Sequence, residues 1–284
     1  MKAFTTGKKL LWGLGAISGA AGLYFINAPE KIVHNSWTTN YEPNLNAKWD
    51  DNWDHREPQN LVKLSHRHKV SEIGDNNNNE LLEKVTPKAY RHIILIRHGQ
   101  YNLDGRTDED RVLTKLGRLQ AEYTGKRLKE LGIPYTDMVK STMSRAQETG
   151  SIISEIINQD NKLPISHCDL IREGAPIPPE PPIGRWKPEV HQFYQDGSRI
   201  EAGFRKYFHR ASPSQEKDSF TLLVCHANVI RYFVCRALQF PAEGWLRISL
   251  NHASLTWITI TPSGRCILKF LGDTGHMPPD VISS

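Results

Sequence analysis

Two histidines each follow directly on a run of aliphatic residues. His98 follows Arg97 at the end of "RHIILIR", and His226 follows "TLLVC". Buried strands of a parallel sheet consist of such aliphatic runs, and their carboxyl ends open onto the crevice in which ligands bind. The alternative is that Arg97 and His98 only begin a surface loop. If both runs are strands of one parallel sheet, His98 and His226 lie at the same edge.

A further basic residue, Arg145, stands at the start of the helical pattern in "STMSRAQET". A pocket that combines Arg145 with Arg97, His98 and His226 favours an anion, because guanidinium groups offer several donors to phosphoryl oxygens. The amino termini of the helices that follow the strands add backbone amides. One histidine can attack phosphorus if a hydrogen bond to its other ring nitrogen fixes the neutral tautomer. These residue types predict phosphoryl chemistry at the sheet edge.

The pattern around these residues alternates strands with helices. Residues 113–132 predict an amphipathic helix with Thr114 as its N-cap and Gly132 as its stop. Two more helices are predicted over residues 145–157 and 227–238. Further strands are predicted over residues 138–142, 221–226 and 254–262, the last paired through "SGR" with "CILKFL". We therefore expect a three-layer α/β/α sandwich with a mainly parallel sheet covered on both faces.

Length and charge limit the classes of function. The chain has 284 residues and a net charge of +5, which fits one α/β domain of about 200 residues with an extension. The positive excess suits an anionic substrate but is too small and too scattered to predict nucleic-acid binding. The four cysteines show no CxxC or Cys/His spacing, so we expect reduced core residues and no metal site or disulfide.

The amino-terminal segment differs from the rest of the chain. After three lysines, residues 10–29 carry no charge and include "LLWGLGAISGAAGLYFIN", which is just long enough to span a bilayer as a helix. We predict a single-pass membrane anchor over residues 1–29. A secretory signal peptide with cleavage near Ala20 and Ala21 and a mitochondrial presequence are the alternatives.

Residues 30–89 are polar and show little hydrophobic periodicity. The tract "DNNNNE" at 75–80 is typical of a linker, so we expect an extended arm. The motif "WDDNWD" at 49–54 repeats a Trp–Asp pair within this arm. Either the two tryptophans dock on the surface of their own domain, or they bind a groove of a partner, where tryptophan supplies a large apolar contact.

Five motifs occur in the order "RHG" (97–99), "LTKLGRLQA" (113–121), "SRAQET" (144–149), "REGAP" (172–176) and "CHANVIR" (225–231). This set resembles the histidine phosphatase, or phosphoglycerate-mutase-like, superfamily, and it covers roughly residues 90–275, so the resemblance implies a phosphoglycerate-mutase-like fold for a domain over residues 90–284. The motif "WDDNWD" and the segments 198–211, 235–254 and 271–280 are similar to the mitochondrial serine/threonine protein phosphatases of this superfamily.

The resemblance implies a role for each site residue. His98 would be the nucleophile that forms a phosphohistidine, while Arg97 and Arg145 would bind the phosphoryl group. His226 would donate a hydrogen bond to that group. Glu173 would protonate the leaving serine or threonine oxygen and then activate water. Neither a cofactor nor a metal is implied.

The resemblance also implies a cellular setting. The activity would be that of a protein serine/threonine phosphatase in a mitochondrial membrane, outer or inner. Substrates would be phosphoproteins, including a stress-signalling kinase such as apoptosis signal-regulating kinase. The motif residues Trp49, Asp50, Trp53 and Asp54 would assemble the chain into a homo-oligomer. The alternatives are a small-molecule phosphatase or phosphoglycerate mutase, and a scaffold without catalytic function.

Two features depart from the wider superfamily. Asp104 replaces an asparagine commonly found six residues after the nucleophile, and Cys225 and Ala227 replace the two glycines that flank the second histidine. Because a carboxylate near a phosphate is unfavourable, we expect Asp104 to turn away or to face a cation of the substrate. The proline-rich loop over residues 175–188 would form a stiff wall beside Glu173.

Overall fold

The computed structural model describes residues 48–68, 75–158, 160, 162–184 and 188–284. The predicted membrane anchor and the amino-terminal part of the predicted arm lie outside the described residues. Among the residues that are described, no helix combines the length and the apolar character that a bilayer span requires.

In the part of the chain that the structure describes, six strands form one mixed sheet. The strands are β1 Arg91–Arg97, β2 Asp137–Ser141, β3 Ile165–Cys168, β4 Ser219–Cys225, β5 Leu255–Ile260 and β6 Cys266–Asp273. Their spatial order is β3-β2-β4-β1-β5-β6. The first four of this order are parallel to one another, whereas β5 is antiparallel to β1 and β6 is antiparallel to β5.

The α-helices of the described residues are α1 Pro58–His68, α2 Asp75–Val85, α3 Lys115–Glu130, α4 Ser144–Ile157, α5 Val190–Tyr207 and α6 Ala227–Ala237. Short 3-10 helices cover Asp169–Ile171, Ala242–Arg247 and Pro279–Val281. The Thr114 side chain accepts a hydrogen bond from the Gly117 amide as the N-cap of α3. Gly132 takes a left-handed φ of +60° just beyond that helix, as the predicted stop requires.

The sheet separates two hydrophobic cores. Ile93 and Leu95 of β1 enter one core with residues of α5 and α6, whereas Ile94 and Ile96 enter the other with residues of α3 and α4. This alternation follows from the period of two along a strand. A buried central strand thus carries aliphatic residues on both faces, as a three-layer α/β/α arrangement requires.

Two predictions of irregular structure were wrong. The tract "DNNNNE" begins helix α2 and is not an unstructured linker, because "ELLEKV" continues it with good helix formers. Helix α1 also lies within the predicted arm. Helix α5 was not predicted at all, since its first turns are polar and expose Val190 and Tyr194.

The "WDDNWD" segment packs against the α/β domain of its own chain. Trp49 and Trp53 are partly buried against the core that contains α5 and α6. The Trp53 indole donates a hydrogen bond to the Gly264 carbonyl at 2.8 Å, and its ring centroid lies 5.9 Å from that of Phe204. This is the intramolecular docking that the sequence left as one of two alternatives.

A fully buried ion pair fixes this segment. The carboxylate of Asp54 pairs with the guanidinium of Arg210, and both side chains have 0% exposure. Asp54 also accepts the Arg210 amide at 2.8 Å, and Arg210 donates to the carbonyls of Asp51 and Ser263. Gly264, at a φ of +91°, leaves the space that the guanidinium fills, because a Cβ there would collide with it.

We predict that Asp54→Ala lowers the free energy of unfolding by about 3 kcal/mol, because it leaves the Arg210 charge buried without its partner. The unfolding midpoint should fall by roughly 6–12 °C for a domain of this size. Asp51→Asn is the matched control, since only the backbone carbonyl of Asp51 contacts Arg210. Thermal unfolding followed by circular dichroism measures both; equal midpoints for the two variants would contradict a stabilising role for the pair.

Candidate active site

The parallel pairing of β1 with β4 brings the two predicted histidines together. Arg97 stands opposite Cys225, and the His98 amide donates to the Cys225 carbonyl at 3.0 Å. The imidazole centroids of His98 and His226 are 5.1 Å apart. The carboxyl ends of both strands therefore meet at one site, and the alternative of an unrelated surface loop is excluded for His98, which is 3% exposed.

His98 is held in one tautomer. Its Nδ1 lies 2.8 Å from the Gly99 carbonyl, to which it donates, and its Nε2 accepts from the Arg145 Nε at 3.2 Å. Burial and the nearby Arg145 charge lower the pKa of His98 well below its ordinary value. The ring is neutral at physiological pH, and Nε2 carries a lone pair suited to nucleophilic attack.

The glycine that follows His98 permits a close approach of α3. A Cβ on Gly99 would collide with the backbone of Gly117, and the Gly99 amide donates to the Thr149 Oγ1 at 3.0 Å. The first turn of α3 and the side of α4 are thereby fixed against the end of β1. The close contact requires a glycine in each motif, Gly99 in "RHG" and Gly117 in "LTKLGRLQA", because a Cβ on either residue would collide with the backbone of the other segment.

Arg145 lies in the first turn of α4 and is 3% exposed. Its guanidinium carbon lies 4.6 Å from the Tyr101 ring centroid, and its Nη1 lies 3.5 Å from an Asp108 oxygen. The other Asp108 oxygen accepts from the Ser144 amide at 3.0 Å. Aromatic and carboxylate contacts thus orient the guanidinium beside His98.

Arg97 is fixed from the opposite side. It donates to the Leu250 carbonyl, and its Nη2 donates to the His252 Nε2 at 3.1 Å. The His252 Nδ1 in turn lies 3.0 Å from the Ser283 hydroxyl. Burial, followed by the charge of Arg231, lowers the pKa of Arg97 to about 10, and burial with the Arg97 charge lowers that of His252 to about 4.

His226 is completely buried and lies at the N-cap of α6. Its Nε2 lies 2.8 Å from the Ser141 hydroxyl, whereas its buried Nδ1 has no hydrogen-bond partner among the described residues. If Ser141 donates to Nε2, then Nδ1 carries the proton. Burial, and then the neighbouring His98, lower the pKa of His226 well below its ordinary value, so a neutral donor is available.

Glu173 lies on the loop after the 3-10 helix Asp169–Ile171. Burial raises the pKa of its carboxyl above the ordinary value, although the Gly174 amide at 3.1 Å and the Arg145 and Arg97 charges oppose the shift. A carboxyl with a raised pKa keeps its proton closer to neutral pH, which is the property of a general acid.

Helix α5, which the sequence did not reveal, holds the Glu173 loop in place. Arg199 donates to the Arg172 carbonyl at 2.6 Å and to the Glu173 carbonyl at 3.0 Å, and it pairs with Asp196 at 2.9 Å. A Cβ on Gly174 would meet this pair at 2.5–2.6 Å. Arg199 and Asp196 therefore position the loop backbone.

Sequence reasoning missed several other residues of the site. His252 and Asp108 contact the two predicted phosphate-binding arginines. Arg231 of α6 donates to the Asn228 Oδ1 at 3.2 Å, and its charge acts on both Glu173 and Arg97. The sequence signal that could have revealed Arg231 as a site residue is its place in the "CHANVIR" motif. Asp104, which the sequence singled out, is exposed.

The four predicted oligomerisation residues of the "WDDNWD" segment lie away from the active site. Trp53 contacts the turn between β5 and β6, and β5 ends opposite Arg91, the first residue of β1. The "WDDNWD" segment thus lies toward the amino ends of the parallel strands, whereas His98 lies at their carboxyl ends. All four cysteines are buried, as predicted for core residues, and the structure shows them as free thiols. No metal-binding group of three His, Cys, Asp or Glu residues occurs within the described residues.

Comparisons with known proteins agree with this geometry. The sequence profile of the histidine phosphatase superfamily (branch 1) matches residues 93–175 and 180–274. A Drosophila mojavensis protein named "Serine/threonine-protein phosphatase Pgam5, mitochondrial" is 58% identical over 268 residues, which cover 93% of this chain and 91% of that protein. The protein of the same name from Drosophila pseudoobscura pseudoobscura is 59% identical over 254 residues, covering 89% and 87%.

A solved structure described as mycobacterial hydrolase 2 shares the fold. Its TM-score is 0.50 at 19% identity, and the match covers 68% of this chain and 95% of that one. The chain belongs to the histidine phosphatase superfamily. The predicted resemblance is confirmed, and the fold is the phosphoglycerate-mutase-like α/β fold with a mixed sheet.

We predict that Arg199→Met displaces Glu173 and impairs proton donation, while Arg97 and Arg145 keep their positions. Turnover of alkyl phosphates, whose alkoxide leaves poorly, should fall at least ten-fold, and turnover of p-nitrophenyl phosphate should fall much less. Glu173→Gln should show the same split between the two substrates. Arg205→Met, on the same helix in an exposed pair with Glu201, is the control. Equal losses on both substrates would contradict a general-acid role for Glu173.

Proposed function

We propose that this protein is a mitochondrial serine/threonine protein phosphatase that acts through a phosphohistidine intermediate. The observation that carries the proposal is the His98 ring, whose Nδ1 donates to a backbone carbonyl while its Nε2 faces Arg145. The relatives named as serine/threonine phosphatases support the substrate class and the mitochondrial location.

In the first step, the Nε2 lone pair of His98 attacks the phosphorus of a phosphoserine or phosphothreonine. The bond from phosphorus to the side-chain oxygen breaks, and Glu173 gives its proton to that oxygen. Arg97, Arg145 and the Nδ1 proton of His226 stabilise the charge on the equatorial oxygens. The products of this step are the dephosphorylated protein, phosphohistidine and the Glu173 carboxylate.

In the second step, the Glu173 carboxylate takes a proton from a water molecule, and the water oxygen attacks the phosphohistidine. The bond from phosphorus to Nε2 breaks and inorganic phosphate leaves, which restores neutral His98 and protonated Glu173. Because one residue serves as acid and then as base, its pKa must lie nearer neutrality than that of an ordinary glutamate. The raised pKa of Glu173 supports this role.

An apolar groove between the proline-rich loop and α5 suits the polypeptide that flanks a phosphorylated residue. Its lining includes Pro176, Pro178 and Pro179 of the loop and Tyr194 of α5. The cavity has a volume of about 750 Å³. The indole of Trp245 donates to the Ile177 carbonyl at 3.0 Å, so the loop is fixed. The substrates that we propose are phosphoproteins, among them a stress-signalling kinase such as apoptosis signal-regulating kinase.

We predict that the full-length chain dephosphorylates phosphoserine and phosphothreonine peptides, and does so faster than phosphotyrosine peptides or 3-phosphoglycerate. His98→Ala should reduce turnover of every substrate by at least a thousand-fold, because it removes the nucleophile. Release of inorganic phosphate measures each rate. A higher kcat/KM on 3-phosphoglycerate than on phosphopeptides would favour a small-molecule enzyme, and cellular function undiminished in His98→Ala would favour a scaffold.

The proposal includes self-association through Trp49, Asp50, Trp53 and Asp54. These residues pack on their own domain, so the same contacts would have to form on a second copy if the segment is exchanged between chains. Once one such contact joins two chains, a further contact between the same chains forms almost as an intramolecular one, so several contacts together raise the affinity of assembly.

We predict that the double variant Trp49→Ala with Trp53→Ala changes the assembly from larger oligomers to a dimer and lowers activity per active site. Light scattering coupled to gel filtration measures the mass. An unchanged mass would contradict the assembly role, and a loss of thermal stability alone would show that the tryptophans act only within their own chain.

The proposal also places the chain in a mitochondrial membrane through residues 1–29. Their uncharged stretch from Leu10 to Pro29 supports a single-pass anchor.

We predict that the intact chain stays in mitochondrial membranes during alkaline carbonate extraction, because an apolar helix in the bilayer does not depend on ionic contacts. A variant with Leu11→Lys and Ala16→Lys should be released, while Thr5→Lys with Thr6→Lys, outside the stretch, should stay. Complete extraction of the intact chain would contradict the anchor.

A further inference from the structure

A polar cleft, separate from the active site, lies at the opposite end of the sheet from His98. It is lined by the first residues of three strands, Arg91 of β1, Asp137 of β2 and Ser219 of β4. Lys206 at the end of α5 and Arg56, which follows the "WDDNWD" segment, complete its sides. The described residues that line the cleft include none of the active-site residues.

The cleft has the size of a small-molecule site. Its volume is about 480 Å³, within the range of roughly 300–1,000 Å³ that is usual for ligand pockets. This is far more space than inorganic phosphate needs. It suits a molecule that carries further groups beside an anionic one.

Positive charge dominates the cleft. Arg56, Arg91 and Lys206 line it, and none of the three forms a salt bridge with a carboxylate in the described ranges. Asp137 is the acidic residue of the lining, and its Oδ1 already accepts from two threonine hydroxyls at 3.0 and 2.8 Å. Burial lowers the pKa of Arg91 to about 10 against the opposing effect of Asp137, so the charge there is not fully compensated.

The Arg91 guanidinium is held in place before any ligand binds, because its Nη1 donates to the carbonyls of Tyr207 and His209, each at 2.9 Å. The His209 Nδ1 donates to the Arg210 carbonyl at 2.6 Å and lies 2.7 Å from the Arg56 Nη1. Burial and the Arg91 charge lower the pKa of His209 to about 4, so His209 is neutral and adds no charge of its own. A fixed guanidinium group loses little conformational entropy on binding an anion.

One hydroxyl of the lining lacks a partner. The Ser219 Oγ is buried and makes no hydrogen bond with any described residue. Its backbone amide is already committed to the Tyr90 carbonyl at 3.1 Å. A buried hydroxyl without a partner costs free energy that a ligand oxygen would recover.

We propose that this cleft binds a phosphate-bearing small molecule through Arg56, Arg91, Lys206 and the Ser219 hydroxyl. Residues with guanidinium, ammonium and hydroxyl groups line this cleft, and phosphoryl groups accept from all three kinds of donor. The ligand would join Arg56, close in sequence to the Asp54 anchor, to Lys206 on α5. It would thereby help to hold the "WDDNWD" segment on the domain.

The test must separate this site from the active site, which also takes phosphate. The full-length chain carrying Arg97→Ala and Arg145→Ala provides the background, and isothermal titration calorimetry measures binding of pyrophosphate, ADP and adenosine. We expect pyrophosphate and ADP to bind in this background and adenosine not to bind. Adding Arg56→Ala with Lys206→Ala should weaken binding at least ten-fold.

Lys129→Ala with Lys269→Ala removes the same charge from exposed positions outside the cleft and should leave the affinity unchanged. Ser219→Ala removes only the unpartnered hydroxyl and should weaken binding several-fold, which keeps the test decisive if the cleft double variant unfolds. The proposal is overturned if pyrophosphate and ADP do not bind in the background, if adenosine binds as well as ADP, or if neither cleft variant changes the affinity.

Discussion

Parallel backbone hydrogen bonds join β1 to β4 along their whole lengths, with Arg97 opposite Cys225. The two histidines of the site depend on this register, because it places His98 beside His226 at the carboxyl ends of the two strands. A shift by one residue would exchange the faces of Ile93 to Ile96 and disrupt both cores at once. The chemistry of the site is therefore secured by the most deeply buried contacts of the fold.

The second constraint is electrostatic. Two guanidinium groups lie beside two imidazoles in a buried site, and burial lowers the pKa values of all four. His98 and His226 are therefore neutral, and each imidazole has one nitrogen with a lone pair and one N–H donor. The arginines stay charged and are compensated only in part, for example by Asp108 near Arg145. In the proposed mechanism a phosphoryl group would supply the missing negative charge, and binding and transition-state stabilisation would draw on the same groups.

Much of this arrangement can be read from the sequence, since aliphatic runs mark buried strands and the residues that follow them share an edge. His98 and His226 follow from that rule, and Arg145 follows from its place at the start of a helical pattern. Arg199 does not, because the polar start of α5 conceals the helix and its role is to hold carbonyls of a distant loop. His252 and Asp108 act through contacts with arginines that are far away in sequence. The docking of Trp53 and Asp54 needed the structure as well, because a linker-like composition does not reveal a buried partner such as Arg210.

The central claim is that His98 forms a covalent bond to phosphorus, and trapping the intermediate tests it most directly. The full-length chain would be mixed with a ³²P-labelled phosphoserine peptide, quenched within milliseconds and mapped by mass spectrometry. The account predicts protein-bound label that is lost in acid, survives alkali, maps to His98 and is absent from His98→Ala. Label that survives acid, or turnover that persists in His98→Ala, would contradict it.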